Sequence, residues 1–145
     1  MTLHDEAKAA LAAKGQAQRD LARITDCPPW RHALVGVVMA ALVASPALPT
    51  PLRFGVMVLV LVGIAGIVAS DRRRTGVFVN GYRRGRTLIV SIVMLVALSG
   101  LFMASARAGL AGDALTPLLL AAVAFVVAIA GSVIWQRVFV AELEA

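Results

Sequence analysis

The sequence predicts an all-α integral membrane protein, a four-helix bundle of two antiparallel helical hairpins preceded by a cytoplasmic helix. Of its 145 residues, 60% are hydrophobic and only 15% are charged. The charges are also segregated, because no Asp, Glu, Lys, Arg or His occurs in residues 33–49, 54–70, 88–106 and 117–135. Each of these stretches is close to the roughly 20 residues that a helix needs to cross about 30 Å of hydrocarbon.

Other fold classes fit this pattern less well. A water-soluble helical protein needs a polar face on each surface helix, and the four uncharged stretches provide none. A transmembrane β-strand would be about half as long and would alternate apolar with polar residues. Helices are therefore expected, because a bilayer cannot satisfy the hydrogen bonds of an open backbone.

The N-terminal region, residues 1–27, predicts a separate helix over residues 3–26. Asp5 and Glu6 lie in its first turn, where the helix dipole favours negative charge, and good helix formers fill most of the rest. Its apolar stripe is mostly alanine and is broken by Lys14, so little burial energy is available. Two interpretations remain open: a helix that lies on the membrane or a partner, and a solvated cytoplasmic helix.

Residues 28–145 form the predicted transmembrane bundle, with spans at about 30–48, 52–70, 87–106 and 117–136. Prolines end the first helix and open the first span, because proline cannot continue a helix. Thr50-Pro51 and Thr116-Pro117 are typical helix starts and open the second and fourth spans. The shared Thr-Pro-Leu starts, and similar Gly and Ala positions late in both spans, suggest a duplicated hairpin as a hypothesis. Asp71 beside Arg72 indicates the end of the second span.

The basic residues predict the orientation. Arg53 and Arg107 lie in the connections after the first and third spans, whereas the other twelve Lys and Arg residues lie on the opposite side. The positive-inside bias therefore places both termini and the basic loop 71–87 in the cytoplasm. We predict a multi-pass protein of the cell inner membrane, and the alanine, valine and arginine content suggests a bacterial source.

The basic loop predicts contact with anionic lipid headgroups on the cytoplasmic side, because arginine pairs with phosphate in a bidentate fork. An Asn80-Gly81 turn could also support a short hairpin here. The alternative is that these arginines only set the topology. The headgroup candidates are Arg72, Arg73, Arg74, Arg83, Arg84, Arg86 and Tyr82.

Small residues four apart predict close packing between helices, because lipid tails provide no hydrophobic drive for helix association. These residues could pack within one chain or pair two copies, and the alanine-rich composition by itself also produces such spacings. The helix-packing candidates are Gly36, Ala40, Ala44, Gly66, Gly100, Ala104, Ala124 and Ala128.

No catalytic, metal or cofactor constellation stands out. The single Cys27 excludes an internal disulfide and a thiolate cluster, and His32 beside Trp30 and Arg31 is interpreted as an interfacial residue. The spans contain serines but no ionisable residue, so ion-coupled transport is not expected. The net charge of +6 is explained by arginines at span ends rather than by nucleic acid binding.

We therefore expect a non-enzymatic membrane protein without a cofactor, acting as an accessory or assembly subunit of a membrane complex or as a self-associating scaffold. Its expected partners are membrane lipids and either other membrane subunits or itself, with no nucleic acid. A small oligomeric transporter or channel for an uncharged or lipidic solute is the alternative. A sensor of anionic lipids through the arginine loop is a minor alternative.

Overall fold

A computed structural model describes residues 3–24, 28–75 and 85–144. In these ranges every regular element is a helix, and there is no strand. Its elements are α1 (Leu3–Ile24), α2 (Pro29–Ala44), the short 3-10 helix η1 (Ser45–Ala47), α3 (Thr50–Thr75), α4 (Arg86–Leu110) and α5 (Leu115–Glu144). The prediction of an all-helical chain with four long apolar helices is confirmed, since α2 with η1, α3, α4 and α5 are each long and apolar enough to cross a membrane.

The α1 helix matches the prediction for residues 3–26 as far as the structure describes them, which is to Ile24. Its side chains from His4 to Lys14 are all exposed, including Leu11, of which 69% is accessible. Part of α1 contacts α5. The part of α1 from His4 to Lys14 therefore adds little to the apolar core.

The α5 helix is the centre of the fold, packing against both α2 and α4, while α3 packs mainly against α2. Contacts near helix ends fix the directions: the first turn of α2 meets the last turns of α3 through Arg31 and Asp71. The start of α4 meets the end of α5 through Thr87 and Glu142. Because α2 also meets the later part of α5, α2 and α4 run one way and α3 and α5 the other.

This alternation gives the molecule two ends with different connections. We call the end that carries the first turns of α2 and α4 and the last turns of α3 and α5 the loop end, because the chain from α3 to α4 joins there. The opposite end carries the two short connections, α2–η1–α3 and α4–α5, and we call it the turn end.

The buried core depends on small side chains that let helices approach closely. Val43, Ala121 and Ala124 form its centre, with larger side chains of α4 such as Phe102 packed around them. A Cβ atom at Gly36 would lie 2.8 Å from Ile129 Cγ1, so glycine lets α2 and α5 approach at this point. Most apolar side chains nevertheless face outward, and only 6% of the most apolar stretch of α3, and of α4, is buried within the chain.

The first connection, α2–η1–α3, is shaped by proline. Pro46 lies within η1, and the Pro49 carbonyl accepts a hydrogen bond from the Arg53 backbone N–H at 3.0 Å. Thr50, predicted to open the helix, is its first residue. The far end of α3 continues beyond Asp71 to Thr75, so the helix extends past the residue predicted to end it.

The second connection, α4–α5, uses glycine in place of proline. Gly112 has φ of 80°, the left-handed conformation that glycine adopts without strain. The Asp113 backbone N–H donates to Ala108 O at 3.0 Å and the Gly112 N–H to Gly109 O at 3.2 Å, which is the hydrogen-bond pattern of a Schellman motif. The two hairpins thus turn by different means, whatever similarity their sequences share.

Candidate functional sites at the two ends of the helices

At the loop end, an ion pair joins α2 to α3. Arg31 Nε donates to Asp71 Oδ1 at 2.9 Å and Arg31 Nη2 donates to Asp71 Oδ2 at 2.5 Å. The side chains are 20% and 31% exposed, respectively, so water screens the pair only in part. This fork geometry fixes orientation as well as distance. The sequence suggests only that Asp71 is next to Arg72. It gives no indication that Asp71 contacts Arg31, forty residues earlier.

His32 is buried, with 8% of its surface exposed, and packs between α2 and α5. Its Nδ1 lies 2.7 Å from Ser132 Oγ, at hydrogen-bond distance, with the donor set by the histidine tautomer. The sequence, with Trp30 and Arg31 beside it, predicts an interfacial position for His32, and this stays a prediction. The structure adds that the side chain joins α2 to α5.

Glu142 ties the last turn of α5 to the first turn of α4. Its carboxylate accepts hydrogen bonds from the Arg86 backbone N–H and, at 3.4 Å, from Thr87 Oγ1. The first N–H groups of a helix have no partner within it, and a carboxylate there also complements the helix dipole. The sequence identifies Glu142 only as a charge beyond the fourth span.

Three of the predicted headgroup candidates have side chains that the structure describes, and all three are at the loop end. The side chains of Arg72 and Arg73 are exposed at the end of α3, and that of Arg86 is exposed at the start of α4. Arg74 belongs to α3, but its side chain is outside the described part of the chain. Tyr82, Arg83, Arg84 and the predicted Asn80-Gly81 turn also lie outside the described residues.

At the turn end, the α2–η1–α3 connection is held by a single arginine. Arg53 Nη2 donates to the carbonyl oxygens of Pro46 and Leu48 at 2.9 and 3.2 Å. The Nε of the same guanidinium is buried and has no acceptor among the described residues. In the sequence, Arg53 is notable only as one of the two basic residues on the side opposite the other twelve.

The turn end also brings α4 against α2 and η1. Ser105 is fully buried and donates from Oγ to Val43 O at 2.5 Å, satisfying one of the last carbonyls of α2. A Cβ atom at Gly109 would lie 2.6 Å from Pro46 O, so only glycine fits there without backbone movement. Of the span serines, Ser45 and Ser91 bond to carbonyls of their own helical segments, whereas Ser105 and Ser132 join different helices.

An open apolar groove of about 580 Å³ runs between α2 and α5 near the turn end. Its floor is mainly alanine, because Ala40, Ala41 and Ala44 of α2 face Ala121 and Ala122 of α5. All of the lining side chains are apolar. The groove ends at Ala44, two residues before Pro46, whose carbonyl accepts a hydrogen bond from Arg53.

The helix-packing candidates fall into two sets. Five of them line contacts within the chain: Gly36, Ala124 and Ala128 are buried, and Ala40 and Ala44 pack against the core. The other three, Gly66, Gly100 and Ala104, are exposed, and a Cβ atom at Gly66 or Gly100 would meet nothing within 4 Å. Those three lie on the outer faces of α3 and α4.

In the described ranges, no three His, Cys, Asp or Glu side chains come together in a way that could hold a metal ion. Comparisons with protein-family models, curated proteins and solved structures find no match to this chain.

Proposed function

We propose that this chain is a non-enzymatic integral membrane protein of the bacterial inner membrane, serving as an accessory or assembly subunit or as a self-associating scaffold. Membrane insertion is supported by the outward-facing apolar side chains of α3, α4 and α5. Leu59, Leu95 and Leu119, for example, are 69%, 67% and 59% exposed. Contiguous apolar surface of this extent would promote association in water, whereas lipid tails accommodate it.

The proposed orientation has the loop end in the cytoplasm. Exposed Arg72, Arg73 and Arg86 are at that end, as is Arg31, whereas Arg53 and Arg107 are at the turn end. Because the helices alternate in direction, the starts of the first and third predicted spans and the ends of the second and fourth are together at the loop end. This arrangement agrees with the positive-inside bias. In this arrangement the four helices form the proposed bundle, with α3 on its edge.

The single observation that carries the proposal of helix-mediated assembly is the exposed set Gly66, Gly100 and Ala104. Small residues on an outer helix face permit the close backbone approach on which association in lipid depends. In this proposal, α3 and α4 present these positions to a neighbouring membrane subunit or to a second copy, while Gly36, Ala124 and Ala128 hold the chain itself together.

Affinity capture in mild detergent, followed by native mass measurement, tests this proposal. We expect the wild-type chain to be recovered with a second copy or another membrane protein, and Gly100→Leu with Ala104→Leu to reduce that recovery. Leu95→Val is the matched control, because Leu95 is also an exposed α4 residue but lies five positions before Gly100, on a different face of the helix. A strictly monomeric chain without co-purifying protein would contradict the proposal.

A second candidate function, a small transporter or channel for an uncharged or lipidic solute, is favoured by the wholly apolar groove between α2 and α5. Flux through reconstituted vesicles would test it. The groove-filling pair Ala41→Leu and Ala122→Leu should then lower the flux, whereas Ser91→Ala should not, because Ser91 bonds to Thr87 O of its own helix. Absence of flux for every lipid and neutral solute tried would refute this candidate.

The minor candidate, a sensor of anionic lipids, is favoured by the exposed side chains of Arg72, Arg73 and Arg86 at the loop end. Replacement of the six loop arginines by glutamine should weaken binding to anionic vesicles, and added salt should reduce the difference by screening the charges. A topology assay on the variant is the control. Unchanged binding in a correctly oriented variant would exclude a sensing role.

A further inference from the structure

The start of α4 is capped by a residue of another helix. Gly85, the residue before α4, makes no side-chain cap, and the first turn of α4 contains no acidic residue. The Arg86 backbone N–H instead donates to the carboxylate of Glu142 at the end of α5, 56 residues later in the chain. Because the first N–H groups of a helix have no partner within it, Glu142 provides the cap that the local sequence lacks.

The surroundings of Glu142 fit a carboxylate closely. A Cβ atom at Gly85 would lie 2.7 Å from each of its two oxygens, so glycine leaves the space that the carboxylate occupies. One oxygen accepts from the Arg86 N–H, and the other accepts from Thr87 Oγ1 at 3.4 Å. Thr87 itself is buried, with 1% of its surface exposed. Both carboxylate oxygens therefore have a donor on α4.

The contact depends on the charge of Glu142. A carboxylate is attracted by the positive end of the helix dipole, and hydrogen bonds to it are stronger than those between neutral groups. A protonated carboxyl loses both advantages. The segment of α4 that it holds would then lack a cap, because no acidic residue of the first turn can replace it.

Other charged groups near α5 do not take over this role. In the part of the chain that the structure describes, no ion pair joins Glu142 to another side chain. Arg31 is paired with Asp71, and His32 contacts Ser132 ten residues before Glu142. The described titratable and charged side chains of the helices packed against α5 are Arg86 and Arg107 on α4, Arg31 and His32 on α2, and His4, Asp5, Glu6, Lys8 and Lys14 on α1.

We propose that the contact of Glu142 with residues 85–87 is an acid-sensitive latch between the end of α5 and the basic loop. With the carboxylate charged, the latch holds the last three residues of the basic loop and the first turn of α4 against α5. Protonation of Glu142 opens it and frees that turn, including the headgroup candidate Arg86. The latch acts within one chain, so it depends on none of the functions proposed above.

Amide hydrogen exchange of the full chain in mild detergent, followed by mass spectrometry, tests the latch. At neutral pH, Glu142→Gln should exchange about tenfold faster than the wild type in residues 86–90, as expected for loss of hydrogen bonds to a charged group. Glutamine has nearly the shape of the protonated carboxyl and carries no charge. Comparison of the two proteins at the same pH cancels the effect of pH on the exchange chemistry.

The same comparison at lower pH tests the sensitivity to acid. As the pH falls to about 3, the wild type should approach the variant until the two exchange at the same rate in residues 86–90. Other carboxyls titrate alike in both proteins. Exchange in residues 95–102, in the middle of α4, should be the same in both proteins at every pH.

Two further variants separate the contact from its charge. Glu144→Gln removes the same charge two residues further along the chain, and it should exchange at the wild-type rate in residues 86–90. Gly85→Ala keeps the charge of Glu142 but places a Cβ atom where the carboxylate lies, so it should exchange as fast as Glu142→Gln at neutral pH. This variant keeps the test decisive if Glu142→Gln disturbs the end of α5.

Wild-type exchange in residues 86–90 of a folded Glu142→Gln variant at neutral pH would overturn the proposal. An equal effect of Glu144→Gln would also overturn it, since the charge of the chain end and not the contact would then be responsible. A ratio of the wild-type and Glu142→Gln rates that stays constant as the pH falls would show that protonation does not open the latch.

Discussion

At the scale of single residues, glycine has opposite roles along one helix. Gly109 lies against backbone, where a Cβ atom would come within 2.6 Å of Pro46 O, whereas Gly100 faces open space. Backbone atoms of a turn cannot rotate away as a side chain can. Residue 109 therefore accepts no side-chain atom unless η1 or α4 shifts.

We therefore expect Gly109→Ala to destabilise the chain by about 1–3 kcal/mol, the usual cost of overpacking. Gly100→Ala should cause no loss and could raise stability by up to about 1 kcal/mol through helix propensity. Unfolding midpoints in mixed detergent micelles provide the measurement. Equal midpoints for the two variants would show that α4 does not approach η1 as described.

Asp113 gives the turn end a dependence on pH. Hydrogen bonds from the Thr116 side chain, then from the Thr116 and Leu115 backbone N–H groups, lower the pKa of this carboxyl from its ordinary value. Because the pKa is lower in the folded chain, the charged form stabilises the fold fully above about pH 4, the unfolded value. The stabilisation is lost as the pH falls through the lower folded value.

Thermal melts of the detergent-solubilised protein between neutral pH and about pH 2 should show this loss. Asp113→Asn should have a smaller decrease in melting temperature across the acid range, since its amide does not titrate. Thr116→Val, which removes the hydroxyl that donates to Asp113, should reduce the decrease in part. Identical acid profiles for all three proteins would be inconsistent with this role of Asp113.

At the scale of elements, α3 is attached at both ends by polar contacts rather than by a large apolar interface. Arg31 and Asp71 join it to α2 at the loop end, and Arg53 joins it to η1 at the turn end. Between them, Gly63 lets Val38 of α2 approach, since a Cβ atom there would lie 2.9 Å from Val38 Cγ2. Few apolar contacts support α3, so the ion pair matters for its position.

Exchange of the paired charges tests that attachment. Arg31→Asp or Asp71→Arg alone should lower stability, whereas the two together should restore most of it, because the swap recreates an ion pair and keeps the net charge. A coupling of about 1 kcal/mol is expected for a pair that is only partly shielded from water. Double-mutant cycles from detergent unfolding measure it, and additive single effects would rule out the pair.

At the scale of the whole molecule, the alternating helix directions predict where tags can be reached. Reporter fusions after residue 145 or within residues 76–84 should be located in the cytoplasm, and a cysteine introduced at Gly112 should react with an impermeant reagent from outside. These outcomes follow if the loop end is on the cytoplasmic side of the membrane. A reporter signal from outside the cell at the loop end would reverse the proposed orientation.

Charge-free stretches were enough to predict an all-helical chain with four long apolar helices. Uncharged stretches of about 20 residues leave a chain few alternatives, since their backbone groups must bond within the segment. The sequence also identified the Thr-Pro pairs that begin α3 and α5 or lie in their first turns, because proline restricts the backbone angles at a helix start.

The partners of the polar groups, in contrast, depend on how the helices pack. The contacts of Arg31 with Asp71, of His32 with Ser132 and of Ser105 with Val43 join residues 40, 100 and 62 positions apart. Nothing in local composition distinguishes Ser105, which is buried across an interface, from Ser99, which is exposed. Which serine is buried depends on how α4 is rotated about its axis against the neighbouring helices. Small residues occur on every face of the helix, so their positions in the sequence do not show which face packs.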